Sequence, residues 1–334
     1  MKSGVYRKAK TTYLPTPIEP LDRLSDHLGG PRIWVKRDDC TGLSTGGNKA
    51  RKLDFLIGDA LDKGADCVVT IGSIQSNHAR QTAAAAAKYG LVCYLLLQDN
   101  LNMANEPGFA GSGNIFLDRI HGAKVFIHPA DECLNNAMLR LAETLRSEQH
   151  NPYMIPLGGS NFIGTLGYVQ AAEEILTQAD ALNVEFDTLI HATGSGGTQA
   201  GLIVGLLAHQ SSIKVVGVSV DTDATAKRER VSQLARETSR HLNLNLDRTR
   251  LENSIHVTDD YIGVAYGVPS SGSVHAVKLL AELEGLLLDP IYSGKAMAAL
   301  IDKIKTRKLD QQKDLLFLHT GGSASLFAYV NSFD

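Results

Sequence analysis

A lysine, Lys49, stands where a chemically active amine is expected. It ends the run TGLSTGGNK, which follows the strand-like segment WVKRDD and leads into the helical pattern ARKLDFLIGDAL. The partial positive charge of a helix N-terminus favours the neutral amine and lowers the pKa of a lysine. Since a neutral lysine is a nucleophile, Lys49 is a candidate for covalent chemistry. The alternative is a surface lysine beside a flexible turn.

A glycine-rich turn supplies a candidate anion site. It follows the apolar segment DTLIHAT and precedes the helical pattern QAGLIVGLLAH. Its residues are Gly194, Ser195, Gly196, Gly197 and Thr198. Glycines let successive backbone N–H groups converge on an anion, and the helix N-terminus adds positive charge. The turn is neither a Walker A loop nor a G-x-G-x-x-G dinucleotide motif, so it indicates a phosphate site unless its glycines serve only close packing.

A third turn, GSIQSNHAR, leads from a strand into an Ala-rich helix. It brings Ser76, Asn77 and His78 to a helix N-terminus, where such groups suit a carboxylate. Ser76 or Asn77 could instead be a plain N-cap, and His78 a satisfied polar residue. Further along, the segments AYGVP, DPIYSGK and HTGG each border a strand or helix signal and could be only turns.

The elements that must position these turns alternate between short apolar runs and longer helical patterns, which is typical of a parallel α/β fold. The predicted strands are residues 33–36, 67–71, 92–97, 124–128, 153–156, 187–192, 214–220, 254–257 and 315–319. The irregular spacing favours two doubly wound parallel sheets over a barrel. The most polar stretch, residues 221–250, is predicted to hold a helix with a solvated charged face.

Composition narrows the class of protein. The 334 residues include 33 basic and 36 acidic side chains, a net charge of -3, which disfavours nucleic-acid binding. No apolar run approaches the roughly 20 residues that cross a bilayer. The N-terminal stretch lacks the apolar core of a secretory signal, so we expect a cytoplasmic protein with reduced cysteines. The four cysteines are spaced singly, which indicates neither a metal site nor a disulfide framework.

A nucleophilic lysine, a phosphate turn and several polar turns are the parts that a pyridoxal 5'-phosphate enzyme needs. The segments KRDDCTGLSTGGNKARKL, GSIQSNHARQ, GSGGTQAGL, AYGVP, LEGLLLDPIYSGKAM and FLHTGG are similar, in order, to those of the D-cysteine desulfhydrase, L-cysteate sulfo-lyase and 1-aminocyclopropane-1-carboxylate deaminase family. The resemblance implies the tryptophan-synthase β-like fold (fold type II), a homodimer and a small amino-acid substrate. We expect a smaller domain at 54–165 and a larger one, carrying the phosphate loop, from 1–53 plus 166–334.

The resemblance also implies roles for single residues. Lys49 matches the lysine that links to the cofactor aldehyde, and residues 194–198 match the phosphate loop. Asn77 matches the residue beside the phenolic oxygen, and Thr320 the one near the pyridine nitrogen. Ser76, Asn77 and His78 are expected to bind substrate. The expected catalytic residues are Lys49, Ser76, Tyr266 and Tyr292, the two tyrosines coming from the opposite wall.

The implied reaction is β-elimination of a sulfur group from a cysteine-type amino acid, which gives pyruvate and ammonia. The deaminases resemble this chain but carry Glu and Leu where it has Ser293 and Thr320. Because no carboxylate is then expected near the pyridine nitrogen, the cofactor ring is expected to be a weaker electron sink here than in the deaminases. His78 agrees with the desulfhydrase and sulfo-lyase branch, and CTGLSTGGNK and ATGSGGTQAGL look more like the sulfo-lyase. Rival classes are a non-catalytic anion- or nucleotide-binding α/β protein and an NAD-dependent dehydrogenase, for which the fingerprint is missing.

Overall fold

The protein contains two mainly parallel β-sheets, each flanked by helices. The structure is a computed structural model that describes residues 6–334. The strands are β1 (Ile18–Pro20), β2 (Arg32–Lys36), β3 (Cys67–Ser73), β4 (Val92–Asp99), β5 (Lys124–Pro129), β6 (Pro152–Ile155), β7 (Thr188–Thr193), β8 (Lys214–Ser219), β9 (His256–Thr258) and β10 (Asp314–Leu318). The helices are α1 (Asp22–Leu28), α2 (Asn48–Asp62), α3 (Asn77–Lys88), α4 (Pro107–Ala110), α5 (Gly113–Ile120), α6 (Leu134–Ser147), α7 (Phe162–Leu182), α8 (Gly197–Ala208), α9 (Ala224–His241), α10 (Arg248–Asn253), α11 (Ser271–Glu284) and α12 (Ser293–Lys305).

The larger sheet has the order β1-β2-β10-β7-β8-β9, and the smaller sheet β5-β4-β3-β6. All neighbouring strands are parallel except β1, which pairs antiparallel with β2. The predicted fold class is therefore confirmed, and each of the nine predicted strands overlaps an observed one. β1 was not predicted, because it has only three residues, lies at the sheet edge and ends in proline.

The central strands are buried along their whole length and mainly apolar, because helices cover both faces. In β10 every residue of DLLFL is buried, and in β7 every residue of TLIHAT. The smaller sheet lies between residues 67 and 155, within the expected 54–165 unit. That division into domains stays a prediction. The start of the N-terminal stretch, residues 1–5, lies outside the described residues.

Helix α2 packs against α3 and α7. A buried ion network fixes its first turns. Arg51 Nη2 lies 2.8 Å from Asp38 Oδ1 and 2.8 Å from Glu174 Oε1. Because Asp38 follows β2 and Glu174 belongs to α7, these pairs hold the start of α2 against the end of β2 and against α7. Buried charges are tolerated only when they are paired in this way.

The polar stretch at 221–250 contains α9, most of whose charged side chains are exposed as predicted. Lys227 is the exception, since it is only 3% exposed. Its ammonium donates to the carbonyl of Gly194 and lies 2.5 Å from Asp221 Oδ1. The prediction of a purely solvated face was wrong at this position, because the helix lies over the glycine turn. In the part of the chain that is described, no helix is long and apolar enough to cross a membrane.

Candidate active site

A cavity of about 440 Å³ opens where the carboxyl ends of strands from both sheets meet. This is the edge at which ligands bind in open α/β sheets. Nearly all of the site residues expected from the sequence line it. They are Lys49, Ser76, Asn77, His78, Gly194, Ser195, Gly196, Thr198, Tyr266, Tyr292 and Thr320. The remaining one, Gly197, is buried behind the turn against Ser160. The roles expected for these residues stay predictions.

Lys49 is the second residue of α2 and projects into the cavity. The surrounding protein desolvates its amine and lowers the pKa to about 8, although a hydrogen bond with Lys52 opposes the shift. The pKa of this amine is thus lowered as expected, but the main cause is burial and not the helix dipole. A Cβ added to Gly158 would lie 3.6 Å from Lys49 Nζ and would also collide with the Ser195 side chain. The amine and the glycine turn are therefore within reach of one small molecule.

The glycine turn joins β7 to α8, and Gly196 adopts the left-handed conformation with φ 85°. Gly197 begins α8 and has no room for a side chain, because an added Cβ would lie 2.6 Å from Ser160 Oγ. Ser160 Oγ in turn lies 2.7 Å from Ser195 Oγ. The side-chain amide of Asn48 donates to Thr198 Oγ1 at 3.0 Å. The turn is thus packed into a fixed concave shape at the N-terminus of a helix, which is suited to an anion.

Two cations at this turn escaped the sequence-based prediction. Lys52 is 1% exposed, and its ammonium donates to the carbonyl of Gly158 and to Ser160 Oγ, both at 3.0 Å. Arg230 donates to the carbonyl of Ser160 at 3.3 Å. Burial, and then the charges of Lys49 and Arg230, lower the pKa of Lys52 well below its usual value. The i, i+3 spacing of Lys49 and Lys52, which puts them on one helix face, was the available signal.

This cluster of positive groups has no matching anion. Across residues 6–334, no carboxylate contributes to the pKa of Lys49 or Lys52. A phosphate in the turn would supply the missing charge, and a carbonyl compound beside Lys49 would use the neutral amine. The residues present therefore fit a ligand that carries both groups.

Ser76 is the N-cap of α3, and its Oγ accepts from the backbone N–H of Ala79 at 3.1 Å. The cap and the binding role are compatible, because the hydroxyl hydrogen stays available to a ligand. Asn77, the first residue of α3, has a buried side-chain oxygen with no hydrogen-bond partner among the described residues. An unpaired buried amide beside a cavity is costly unless a ligand completes it.

His78 is fixed in one tautomer by its partner Thr70. The hydroxyl of Thr70 donates to the carbonyl of Ile155 at 2.8 Å, so it must accept from His78 Nε2, also at 2.8 Å. In the neutral ring Nδ1 then carries no hydrogen, and it finds no partner within the described chain. Burial, followed by the charges of Lys49 and Lys52, holds the pKa of His78 well below its usual value. His78 therefore presents an acceptor.

Two phenols form the opposite wall. The hydroxyls of Tyr266 and Tyr292 are 2.5 Å apart, and Ser73 Oγ lies 3.2 Å from that of Tyr266. Burial raises the pKa of both tyrosines, so both remain protonated near neutral pH. Asp289 fixes the backbone of this wall by accepting from the N–H groups of Tyr292 at 2.7 Å and Ser293 at 2.9 Å.

Ser293 and Thr320 occupy different places. The hydroxyl of Ser293 donates to Asp289 Oδ1 at 2.6 Å, which directs it into the protein. Thr320 follows β10 and lines the cavity, and its carbonyl accepts from the N–H of Asn48 at 3.0 Å. This bond sets Thr320 beside the start of α2.

Comparisons with known proteins give the class. The family described as pyridoxal-phosphate dependent enzyme matches residues 9–321. This chain belongs to that family, and pyridoxal 5'-phosphate is its cofactor. The glycine turn, whose neighbouring cations have no carboxylate beside them, fits the phosphate of that cofactor. Lys49, whose pKa is lowered, fits its aldehyde.

Individual relatives narrow the comparison. The chain is 45% identical over 314 residues to a D-cysteine desulfhydrase of Yersinia pestis (strain Pestoides F), covering 94% of this chain and 93% of the relative. It is 43% identical to a D-cysteine desulfhydrase of Klebsiella pneumoniae (strain 342), covering 94% of each. A solved ACC deaminase homologue superimposes with a TM-score of 0.88 at 35% identity, covering 99% of this chain and 96% of that one.

Proposed function

We propose that this enzyme is a carbon-sulfur lyase that eliminates the sulfur group of a cysteine-type amino acid, with D-cysteine as the first candidate. The observation that carries the proposal is the 45% identity over 94% of the chain to relatives named D-cysteine desulfhydrase. Release of sulfite from L-cysteate is the second candidate, favoured by the segments CTGLSTGGNK and ATGSGGTQAGL. Ring-opening deamination is disfavoured by Ser293 and Thr320.

Cofactor binding is assigned to one end of the cavity. Lys49 provides the amine for the aldehyde, and the N–H groups of residues 194–198 together with Lys52 provide donors for the phosphate. Asn77 is assigned to the phenolic oxygen and Thr320 to the pyridine nitrogen. When bound, the cofactor withdraws electrons from the substrate α-carbon, and a neutral hydroxyl partner such as Thr320 keeps that pull moderate.

Substrate handling is assigned to the two facing walls. Ser76, Asn77 and the N-terminus of α3 bind the substrate carboxylate. The neutral amine of Lys49 accepts the α-proton. The Tyr266–Tyr292 pair, protonated and joined by a 2.5 Å hydrogen bond, delivers a proton to the departing sulfur. The carbon–sulfur bond breaks with its electron pair on sulfur, and the released enamine takes up water to give pyruvate and ammonia.

A side-by-side assay tests this proposal. Purified holoenzyme is given D-cysteine, L-cysteine, L-cysteate, β-chloroalanine and the cyclopropane amino acid, while pyruvate, sulfide, sulfite and 2-oxobutyrate are measured separately. We expect sulfide and pyruvate in equal amounts from D-cysteine. Absence of pyruvate from every cysteine-type substrate and from β-chloroalanine would refute the proposal.

We also propose a homodimer. On α5, Phe116 and Ile120 are 48% and 64% exposed on one helix face, and Phe327, in the turn packed beside α5, is 68% exposed. Exposed aromatic and aliphatic side chains so close together are typical of an interface. Light scattering should give twice the chain mass, and a monomer at micromolar concentration would contradict the proposal.

A cytoplasmic location is proposed as well. It is supported by four free thiols, Cys40, Cys67, Cys93 and Cys133, which persist in a reducing compartment.

A further inference from the structure

Asp221 is a charged wall residue that the proposed chemistry leaves without a role. It follows β8 and lines the cavity with 29% of its side chain exposed. Its Oδ1 lies 2.5 Å from Lys227 Nζ, whereas its Oδ2 has no hydrogen-bond donor among the described residues. A Cβ added to Gly194 would lie 3.8 Å from this Oδ2 and 3.7 Å from Cε1 of Tyr292. The unpaired oxygen therefore borders the tyrosine wall.

Lys227 lies behind this carboxylate. Its side chain is 4% exposed, and its ammonium donates to the Gly194 carbonyl and does not line the cavity. The pair is thus a dipole with its negative end toward the substrate. The charge is felt at the phenols, because the raised pKa of Tyr292, caused first by burial and Tyr266, also has contributions from Asp289 and Asp221.

The rest of the cavity does not offset that negative end. Of the described residues that line it, Lys49 is the single lysine or arginine, and its amine is assigned to the cofactor aldehyde, while Asp221 and Glu132 are acidic. Lys52 and Arg230 are held at Ser160, beside the glycine turn, where the cofactor phosphate is assigned. A negative group on the substrate β-carbon would therefore find a carboxylate near it and no free cation.

We propose that Asp221 is a specificity-determining residue that selects amino acids with an uncharged β-substituent and rejects those whose β-substituent is anionic, such as a sulfonate or carboxylate. This rests on the proposed β-elimination at the same site. Like charges in a partly desolvated cavity repel strongly, and the neutral thiol of cysteine escapes that repulsion. Within the candidate substrates, the charge rule selects cysteine over cysteate.

Two variants with opposite charge changes test the rule. Asp221→Asn removes the carboxylate and leaves the ammonium of Lys227 unmasked, whereas Lys227→Met keeps the carboxylate and removes the ammonium. Asp131→Asn, an exposed change of the same size outside the cavity, is the control. For each holoenzyme, kcat/KM is measured for both enantiomers of cysteine and cysteate. The preference is the ratio of kcat/KM for cysteine to kcat/KM for cysteate. We expect Asp221→Asn to lower this ratio about tenfold, Lys227→Met to raise it, and the control to leave it unchanged.

Binding of unreactive amino acids separates this inference from the proposed function. Asparagine and aspartate have nearly the same shape and differ in charge, so the ratio of their Kd values, taken from the visible absorption of the cofactor, reports the charge rule without turnover. We expect the wild type to bind asparagine about tenfold tighter and Asp221→Asn to remove that difference. If no cysteine is turned over, the lyase proposal fails while this ratio still decides the charge rule. Equal affinities in the wild type, or shifts of the same sign in both variants, would overturn the role of Asp221.

Discussion

Lys49 and Lys52 lie one turn apart on α2, but their side chains have different surroundings. Lys49 projects into the cavity, whereas Lys52 is tied by hydrogen bonds to Gly158 and Ser160 beside the glycine turn. Both amines are desolvated without a carboxylate nearby, so both have lowered pKa values. The proposed function therefore assigns the cofactor aldehyde to Lys49 and the phosphate to Lys52.

The pH dependence of cofactor attachment follows from the pKa of Lys49. The amine must be neutral to attack the aldehyde, and its pKa is lowered to about 8 from 10.5, so protonation blocks attachment only below about pH 8. We expect the rate at which apoenzyme and pyridoxal 5'-phosphate develop visible absorbance to rise with pH, to pass half its maximum near pH 8 and to level off above it. A rate that keeps rising to pH 10 would show an unperturbed amine.

Replacing Lys52 tests its assignment to the phosphate. Lys52→Met removes a buried charged donor, and we expect the Kd for pyridoxal 5'-phosphate to rise tenfold or more, since a hydrogen bond to a charged group contributes about 1.5–3 kcal/mol. The control Lys63→Met, at the exposed C-terminal end of the same helix, should leave the Kd unchanged because surface pairs contribute little. Titration of the apoenzymes measures both. An unchanged Kd in Lys52→Met would remove the lysine from the phosphate site.

The sequence predicted which residues line the cavity where those residues belong to a turn. Lys49 and the turn at 194–198 stand at strand-to-helix junctions, and glycine spacing marks those junctions. Lys227 and Lys52 lie inside helices among other charges, where a buried lysine has the same sequence appearance as an exposed one. Their burial is decided by which helix packs over which turn, and a local pattern does not contain that information.

At the scale of elements, the shape of the β7–α8 turn depends on the absence of a side chain at Gly197. A Cβ there would lie 2.6 Å from Ser160 Oγ and 2.9 Å from Lys52 Nζ, so it would displace both groups from the turn. We expect Gly197→Ala to weaken cofactor binding by at least about tenfold, the scale of losing one charge-assisted contact.

The matched control is Gly108→Ala, because a Cβ on Gly108 meets nothing within 4 Å. Cofactor titration and visible spectra of the two variants give the comparison. If both variants bind pyridoxal 5'-phosphate like the wild type, the turn does not depend on the space that Gly197 leaves.

Strands were more predictable than the short edge element. Central strands such as β3, β7 and β10 are buried on both faces, and the apolar runs in their sequences display that burial directly. β1 has no such run, since it is partly exposed and its pairing with β2 depends on a contact between chain segments. The predicted strand boundaries differ from the observed ones by one or two residues, because local hydrogen bonding and fraying, rather than composition, decide where a strand ends.

For the whole molecule, the Arg51 network joins segments that are distant in sequence. Its partners Asp38 and Glu174 belong to the β2 end and α7, and Arg51 Nη2 also donates to Thr16 Oγ1 at 3.0 Å. Removing Arg51 leaves two carboxylates with reduced compensation. We expect Arg51→Met to lower the free energy of unfolding by about 3–5 kcal/mol, the usual cost of breaking a buried pair.

Arg146→Met on the exposed end of α6 is the control for this change, and it should alter stability by less than about 0.5 kcal/mol. Chemical denaturation of both apoenzymes provides the measurement. A loss for Arg51→Met no larger than that of the control would mean that the network contributes nothing to holding α2 against the end of β2 and α7.

The amine that holds the cofactor can be identified directly with a chemical trap. Holoenzyme is reduced with borohydride, digested, and analysed by mass spectrometry for the peptide that carries the pyridoxyl group. We predict that the group is on Lys49, with none on Lys52, and that Lys49→Ala lacks the visible absorption of the wild type. A pyridoxyl group on Lys52 or on any other lysine would contradict the assignment of the cofactor to Lys49.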